Sequence, residues 1–200
     1  MKKPGQVYIF ARAPMIGAVK RRLAADIGDV AAWRFYRDTT RDVLREIVRD
    51  PRWQTNLSVT PDRYAVTGRF WPSRVNRVPQ GQGDLGRRMA RALKRFPDRP
   101  AIIVGSDIPD LSVDHIAAAF KALRTHDLVF GPVADGGYWL VGARRPGSLG
   151  RLFENIRWSS AHALRDTLAG LKPSRRVAYL EMLQDVDDGA DYLAFLQPRQ

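Results

Sequence analysis

The amino-acid sequence predicts an α/β protein, a three-layer α/β/α sandwich built on a mainly parallel sheet. Three observations lead there. Short apolar runs such as Ala101-Ile102-Ile103-Val104 are continuous rather than alternating, as expected of strands buried on both faces. Segments of helical spacing lie between these runs, so strands and helices alternate along the chain. The 200 residues, 44% of them hydrophobic, suffice for one full core, and they contain no internal repeat, low-complexity tract or linker. Residues 1–200 are expected to form a single domain.

Taken in order, Gln6 to Ala11 reads as a first buried strand, followed by a loop from Arg12 to Val19 that contains Pro14 and Gly17. Lys20 opens a short helix. From Asp29 to Arg49, Val30, Trp33, Tyr36, Val43, Leu44 and Ile47 recur near helical spacing. Leu57 to Thr60 is a strand ended by Pro61-Asp62, and the poorly patterned stretch Arg63 to Arg77 reads as an exposed excursion. A Gly-rich turn, Gln80 to Asp84, leads into a helix reaching about Phe96. After the Ala101–Val104 strand, Ser112 or Asp114 can cap a helix carrying Ile116, Ala119, Phe120 and Leu123. Leu128 to Phe130 and Tyr138 to Val141 are further strands, and Ser159 or Ser160 can cap a helix to about Leu171. Val177 to Leu180 is a last strand, and Asp191 to Leu196 a terminal helix.

Composition excludes several classes. No apolar stretch approaches the roughly 20 residues that span a bilayer. Met1-Lys2-Lys3-Pro4-Gly5 runs into a strand without a signal-peptide apolar core, and the absence of Cys removes disulfides and thiolate metal sites. The chain is expected to be soluble and cytoplasmic. A net charge of +12 raises the question of nucleic acid. Arginines supply 27 of the 33 cations and are spread from Arg12 to Arg199 without a long basic tract, while the acids are 18 Asp against 3 Glu. That distribution reads as a compositional habit with solvated surface charge, not a nucleic-acid face.

Chemistry concentrates at four places. Gly105-Ser106-Asp107-Ile108-Pro109 follows a strand, so Asp107 projects past its carboxyl end, where open α/β sheets bind ligands; turn capping is the plainer reading of one such Asp. The Arg12–Leu23 segment sets Arg12, Lys20, Arg21 and Arg22 beside Gly17, a pattern suited to phosphate, although it matches neither the P-loop nor the dinucleotide fingerprint. Asp107 and the Asp185-Val186-Asp187 pair are candidate ligands for Mg²⁺ or Mn²⁺, hard cations that take carboxylate oxygen and bridge to substrate phosphates. His115, His126 and His162 are too dispersed for a zinc site. Asp135-Gly136-Gly137-Tyr138-Trp139 has two readings: a hairpin turn, or glycines that admit a ligand beside a charge and a stacking ring.

With these segments in order, the chain resembles the transferases associated with radical-SAM and selenium-related gene neighbourhoods, a family with the nucleotide-diphospho-sugar transferase (glycosyltransferase A-type) fold. The resemblance rests on Phe10 to Pro14 with Gly17, Lys20, Arg22 and Leu23, on Gln80 with Gly83, Asp84, Leu85, Gly86, Arg88 and Met89, and on Gly105 to Pro109. It continues through Gly131-Pro132, Asp135 to Trp139, Trp158-Ser159-Ser160, and Asp185 to Asp187 with Asp191. More distantly the chain is similar to phospholactate guanylyltransferase and molybdenum-cofactor guanylyltransferase. The resemblance implies nucleotide binding by Ala11, Arg12, Pro14, Gly17, Lys20, Arg22 and Ser106, with Gln80, Gly83, Asp84, Leu85 and Arg88 towards the base. It makes Asp107 the main metal ligand and Asp187 a second, and sets Gly136, Gly137, Tyr138, Trp158 and Ser159 towards the acceptor. Two positions depart from the family pattern. Arg21 stands where a small hydroxyl residue is usual, and Asp188-Gly189 replaces Thr-Pro before the last helix.

The expected activity is transfer from a nucleotide or nucleotide-sugar donor to a small-molecule acceptor, with Asp107, Lys20 and Asp135 as the catalytic candidates and Asp135 as the best general base. Glycosyl transfer leads, releasing a nucleoside diphosphate. Nucleotidyl transfer with pyrophosphate release is the alternative, favoured by the cationic loop. A nucleotide-binding protein without turnover is the third, because no side chain is an obvious base. The acceptor, the base and the oligomeric state are not readable.

Overall fold

The computed structural model describes residues 4–72 and 75–197. Met1 to Lys3, Ser73 and Arg74 within the 63–77 stretch, and Arg199 lie outside the described residues. The strands are β1 (Gly5–Arg12), β2 (Trp53–Thr60), β3 (Asn76–Pro79), β4 (Ala101–Gly105), β5 (Leu128–Pro132), β6 (Tyr138–Ala143) and β7 (Val177–Tyr179). The helices are α1 (Arg21–Ile27), α2 (Asp29–Val48), α3 (Arg63–Thr67), α4 (Leu85–Lys94), α5 (Val113–Ala122), α6 (Ala163–Ala169) and α7 (Gly189–Leu196).

The apolar runs are buried on both sides because the pleat sends alternate residues to opposite layers. In β1, Val7, Ile9 and Ala11 join the cluster holding Val43, Leu44 and Ile47 of α2 and Ile116 and Ala119 of α5. Tyr8 faces the other layer, with Met89, Ala92 and Leu93 of α4. The seven strands are ordered β3-β2-β1-β4-β6-β5-β7. β1 pairs in parallel with β2 and β4, β2 with β3, and β5 with β7. Among the described residues, only β6 runs against its neighbours, β4 and β5. The fold is thus the expected α/β class with a mostly parallel sheet.

This order positions the site in two ways. The chain moves outward from β1 to β2 and β3, then crosses back to place β4 on the other side of β1. The loops leaving β1 and β4 therefore part in opposite directions and leave a crevice at the carboxyl edge. Because β6 is reversed, its first residues and the preceding Asp135–Gly137 loop lie at that same edge.

Three expectations are corrected. The 63–77 stretch is no exposed excursion: it contains α3, the buried Ala65, Trp71 and Val75, and the start of edge strand β3. β2 begins at Trp53, four residues before Leu57, because polar Asn56 is buried in an amide ladder. Its Nδ2 donates to Gln6 Oε1 (3.3 Å) and its Oδ1 accepts from Asn76 Nδ2 (2.5 Å), so burial leaves no orphan. Neither Ser159 nor Ser160 caps α6. Ser160 Oγ donates to Arg157 O (2.6 Å) and accepts from His162 N (3.3 Å), closing a turn, and the helix starts one residue beyond His162. Ser112, by contrast, caps α5 in a reciprocal box with His115.

Candidate functional site

A cleft of ≈ 660 Å³ opens between the β1 and β4 loops, lined by Phe10, Arg12, Ala18 to Arg22, Tyr36, Ser106, Asp107, Ser159 and Asp187. Lys20 lies at its floor. Its Nζ is 2.7 Å from Asp107 Oδ2 and 2.7 Å from Asp187 Oδ1, and its side chain is only 6% exposed. Burial works against the ammonium, but attraction and hydrogen bonds from the two carboxylates outweigh it, so its pKa lies above the ordinary lysine value. Lys20 also sits in the left-handed region, at φ 46° and ψ 52°, a conformation costing a side-chain-bearing residue about 1–2 kcal/mol. Such strain persists only where its surroundings enforce it.

Each partner has a structural reason to be there. Asp107 follows β4, and its Oδ1 turns back against Gly105, where an added Cβ would lie 3.0 Å away, so Oδ2 is the oxygen facing Lys20. Asp187 is fixed by Val186, which is buried in a small cluster with Leu23 and Ala32. The Asp187 amide donates to Asp191 Oδ2 at 2.9 Å. Asp188 caps α7, accepting from Asp191 N at 3.0 Å, so the Asp188-Gly189 departure keeps a capped helix. Gly189 N, which a proline would lack, donates to Asp26 Oδ2 at 2.8 Å and ties α7 to α1.

Asp185 completes an acidic group. Burial, then the charges of Asp187 and Asp107, push its carboxyl up to about 6, with Lys20 opposing and Asp135 adding to the rise. On the rim, Arg22 lies 3.6 Å from Asp187 Oδ2 and is 71% exposed, while Arg12 and Arg21 are also open to solvent. Gly17 takes φ 73°, and a Cβ there would meet nothing within 4 Å.

Sequence reasoning passed over the anchor of this loop. Tyr36, read as an ordinary helix-core residue, is 5% exposed. Its hydroxyl accepts from Arg12 N (2.8 Å), donates to Arg12 O (2.9 Å) and meets Ser106 Oγ at 3.2 Å. Trp33 Nε1 donates to Pro14 O at 2.8 Å, and Thr40 Oγ1 to Ser106 O at 3.3 Å. One face of α2 thus holds the ends of β1 and β4 in register. The only hint in sequence was the helical spacing of Trp33, Tyr36 and Thr40.

Arg12, Lys20, Arg22, Ser106, Asp107, Asp187 and Ser159 converge at the cleft, with Gly17 in its loop. The Gln80–Arg88 segment does not line it. Gln80 Nε2 donates to Ala11 O (3.3 Å) and Ser58 O (2.9 Å), Asp84 caps α4 by accepting from Arg87 N (2.8 Å), and Arg88 Nε donates to Gly83 O (2.8 Å). These side chains serve the local backbone, and Leu85 is exposed. On the other side, Asp135 Oδ1 accepts from Gly137 N (2.8 Å) within its own turn. Gly136, at φ 84°, packs on the neighbouring loop so closely that a Cβ would stand 2.3 Å from Ala161 O. The Tyr138 hydroxyl points to Thr167 Oγ1 at 3.5 Å, and Trp158 packs with Tyr138 and Phe153. Arg157 and Asp166 clasp the Trp158–Ser160 loop with contacts of 2.8 and 2.7 Å.

Among the described residues, no group of three or more His, Cys, Asp or Glu side chains is arranged to hold a metal ion. The donor set nevertheless fits a hard divalent cation, which needs one or two carboxylates and completes its shell with water and phosphate oxygen. Asp107 and Asp187 supply two oxygens converging on one point, currently occupied by the Lys20 ammonium.

Residues 43–160 match the family described as an uncharacterized protein conserved in bacteria, DUF2064. That stretch covers more than half of the chain. The protein belongs to this family. No curated protein matches this DUF2064 member. Among solved structures, it is similar to a Desulfovibrio desulfuricans G20 protein whose naming as a nucleotide-diphospho-sugar transferase is provisional. The identity is 27% and the TM-score 0.88, covering 98% of this chain and 87% of that one. It shares its fold with 4-diphosphocytidyl-2C-methyl-D-erythritol synthase from Anaerococcus prevotii DSM 20548, at 12% identity and TM-score 0.62, covering 98% of this chain and 99% of that one. The same holds for Rv0371c of Mycobacterium tuberculosis H37Rv, solved in complex with manganese, at 18% identity and TM-score 0.58, covering 98% and 100%. Among the described residues of the DUF2064 chain, no helix is long and apolar enough to cross a membrane.

Proposed function

We propose that this protein is a divalent-metal-dependent transferase, using Mg²⁺ or Mn²⁺, that takes a nucleotide sugar as donor and passes the sugar to a small-molecule acceptor. One observation supports this above the rest: Asp107, Asp187 and Lys20 meet at the switch point of the sheet, under a loop that presents Arg12, Arg21 and Arg22 to an open cleft. The structural likeness to the Desulfovibrio protein and the resemblance to transferases of radical-SAM gene neighbourhoods agree with it.

In this reading the loop arginines and Lys20 bind the donor diphosphate and offset the charge that builds on the departing phosphate. Asp107 holds the metal, with Asp187 beside it. When bound, the ion supplies Lewis-acid stabilisation of phosphate oxygen and orients the donor. Tyr36 keeps the β1 and β4 loops at a fixed spacing, and Ser159 faces the cleft from the acceptor side. Asp135 serves as base once its turn is engaged by an acceptor.

Nucleotidyl transfer is the second reading, and four cations in the Arg12–Arg22 segment favour it, since they suit a triphosphate. The products decide. Incubation with nucleotide sugars and Mn²⁺, with water taking the sugar in place of the acceptor, should release free nucleoside diphosphate; pyrophosphate release from nucleoside triphosphates, with water taking the nucleotidyl group, would establish the second reading instead. A protein that binds nucleotide but releases neither product is a binding module, which would refute both.

A further inference from the structure

Lys20 occupies the place that a divalent ion needs. Each of the two carboxylates offers one oxygen to it: Asp107 Oδ1 is turned back on Gly105, and Asp187 Oδ2 faces Arg22 at 3.6 Å. The remaining oxygens, Asp107 Oδ2 and Asp187 Oδ1, each lie 2.7 Å from the same Nζ. An ion bound by these two atoms at roughly 2.0–2.2 Å would share the position of the ammonium, with like charge and no room between them.

We infer that Lys20 and the divalent ion are mutually exclusive occupants of the Asp107–Asp187 pair, so that the metal enters as Lys20 swings out to the donor phosphates. This deepens the reading of the cleft as a metal and nucleotide site, and rests on it for the identity of the second ligand. The lysine is an internal counterion that offsets part of the charge of two half-buried carboxylates while the cleft is empty. Pulling a buried ammonium from its partners is costly unless a new anion receives it. Phosphate supplies that anion, the metal supplies the replacement cation, and neither exchange is favourable alone. Metal and nucleotide must then bind cooperatively, each raising the affinity for the other by the same factor.

The test is calorimetric titration of the nucleotide-free protein with Mn²⁺ alone, for the wild type and Lys20→Met. Removing the internal cation should tighten Mn²⁺ binding by about tenfold or more, although the mutated residue is no metal ligand. In the wild type, a saturating nucleoside diphosphate should raise Mn²⁺ affinity by a similar factor, and in Lys20→Met it should not. Lys20→Arg keeps a cation in place and should bind Mn²⁺ as weakly as the wild type. Equal or weaker Mn²⁺ binding by Lys20→Met overturns the inference, as does wild-type Mn²⁺ affinity indifferent to nucleotide that binds. If Lys20→Met does not fold, Lys20→Gln and the wild-type coupling carry the same comparison. Failure of any nucleotide to bind, with Lys20→Met still tightened towards Mn²⁺, sinks the functional proposal and leaves the exchange intact.

Discussion

Replacing Tyr36 by Phe removes one oxygen atom and breaks the side-chain bridge between the β1 end and Ser106. The lost contacts are the Arg12 amide at 2.8 Å, the Arg12 carbonyl at 2.9 Å and Ser106 Oγ at 3.2 Å. They are not equal in cost. The Ser106 hydroxyl can rotate and the carbonyl can accept from water, so each accounts for about 0.5–1 kcal/mol at most. The Arg12 N–H loses its Tyr36 acceptor, and a donor left unsatisfied costs about 1–3 kcal/mol. The sum is about 2 kcal/mol at the least, and for a chain of this length it lowers Tm by about 4–8 °C or more. The ring itself stays buried, so core packing is conserved. Thermal unfolding by circular dichroism measures the stability, and calorimetry with a nucleoside diphosphate and Mn²⁺ measures the function. Nucleotide affinity should fall several-fold as the loop loses its anchor. A Tm unchanged to within about 1 °C, together with full affinity, would refute the anchoring role.

Three more predictions follow from separate features. Asp185 carries a carboxyl raised from its ordinary value to about 6, so the folded state holds that proton more tightly than the unfolded chain does. Its contribution to stability therefore falls as pH rises from about 4 to 6 and stays low above that. Asp185→Asn should raise the Tm of the chelator-treated protein at neutral pH and leave it nearly unchanged at about pH 4; an equal effect at both would exclude the titration. Gly136→Ala forces a Cβ to 2.3 Å from Ala161 O at φ 84°, so unfolding should come at least about 4 °C earlier, whether or not a ligand is present. Asp188→Ala removes the α7 cap at a cost of about 1 kcal/mol and, because Asp191 also steadies the Asp187 amide, should weaken Mn²⁺ binding in the same sample.

The parts of the fold that read correctly are those where one pattern dominates. Ala101–Val104 and Leu128–Phe130 are apolar without interruption, and α2 keeps its period over 20 residues. β3 escaped because Asn76-Arg77-Val78-Pro79 is an edge strand with a single buried residue, Val78. The first half of β2 escaped because Asn56 is polar yet buried, and its amide partners come from strands 50 residues before it and 20 after it. The site divides along the same line. Asp107, Asp187 and the cationic loop could be placed at one edge of the sheet because each follows an apolar or otherwise recognisable segment. That Lys20 joins the two carboxylates is a contact over 167 residues, and no local pattern announces it. Gln80, Asp84 and Arg88 were read towards a ligand, whereas their polar atoms satisfy nearby backbone groups, a use that sequence does not distinguish from binding. Tyr36 shows the converse: a residue with helix-core spacing whose hydroxyl organises the cleft.

The proposed function requires the cleft between the Arg12–Arg22 loop, Asp107 and Asp187 to be a metal–nucleotide site. The most direct measurement is a thermal-shift titration with nucleoside diphosphates, with and without Mn²⁺, on the wild type and Asp107→Asn. At a ligand concentration of 100 Kd, binding stabilises the folded state by about 2.7 kcal/mol. That corresponds to a rise in Tm of about 5–11 °C for a chain of this size. The account predicts this rise in the wild type only when Mn²⁺ and nucleotide are both present, and its loss in Asp107→Asn. A wild type that no nucleotide stabilises, or an Asp107→Asn protein stabilised just as much, would contradict it.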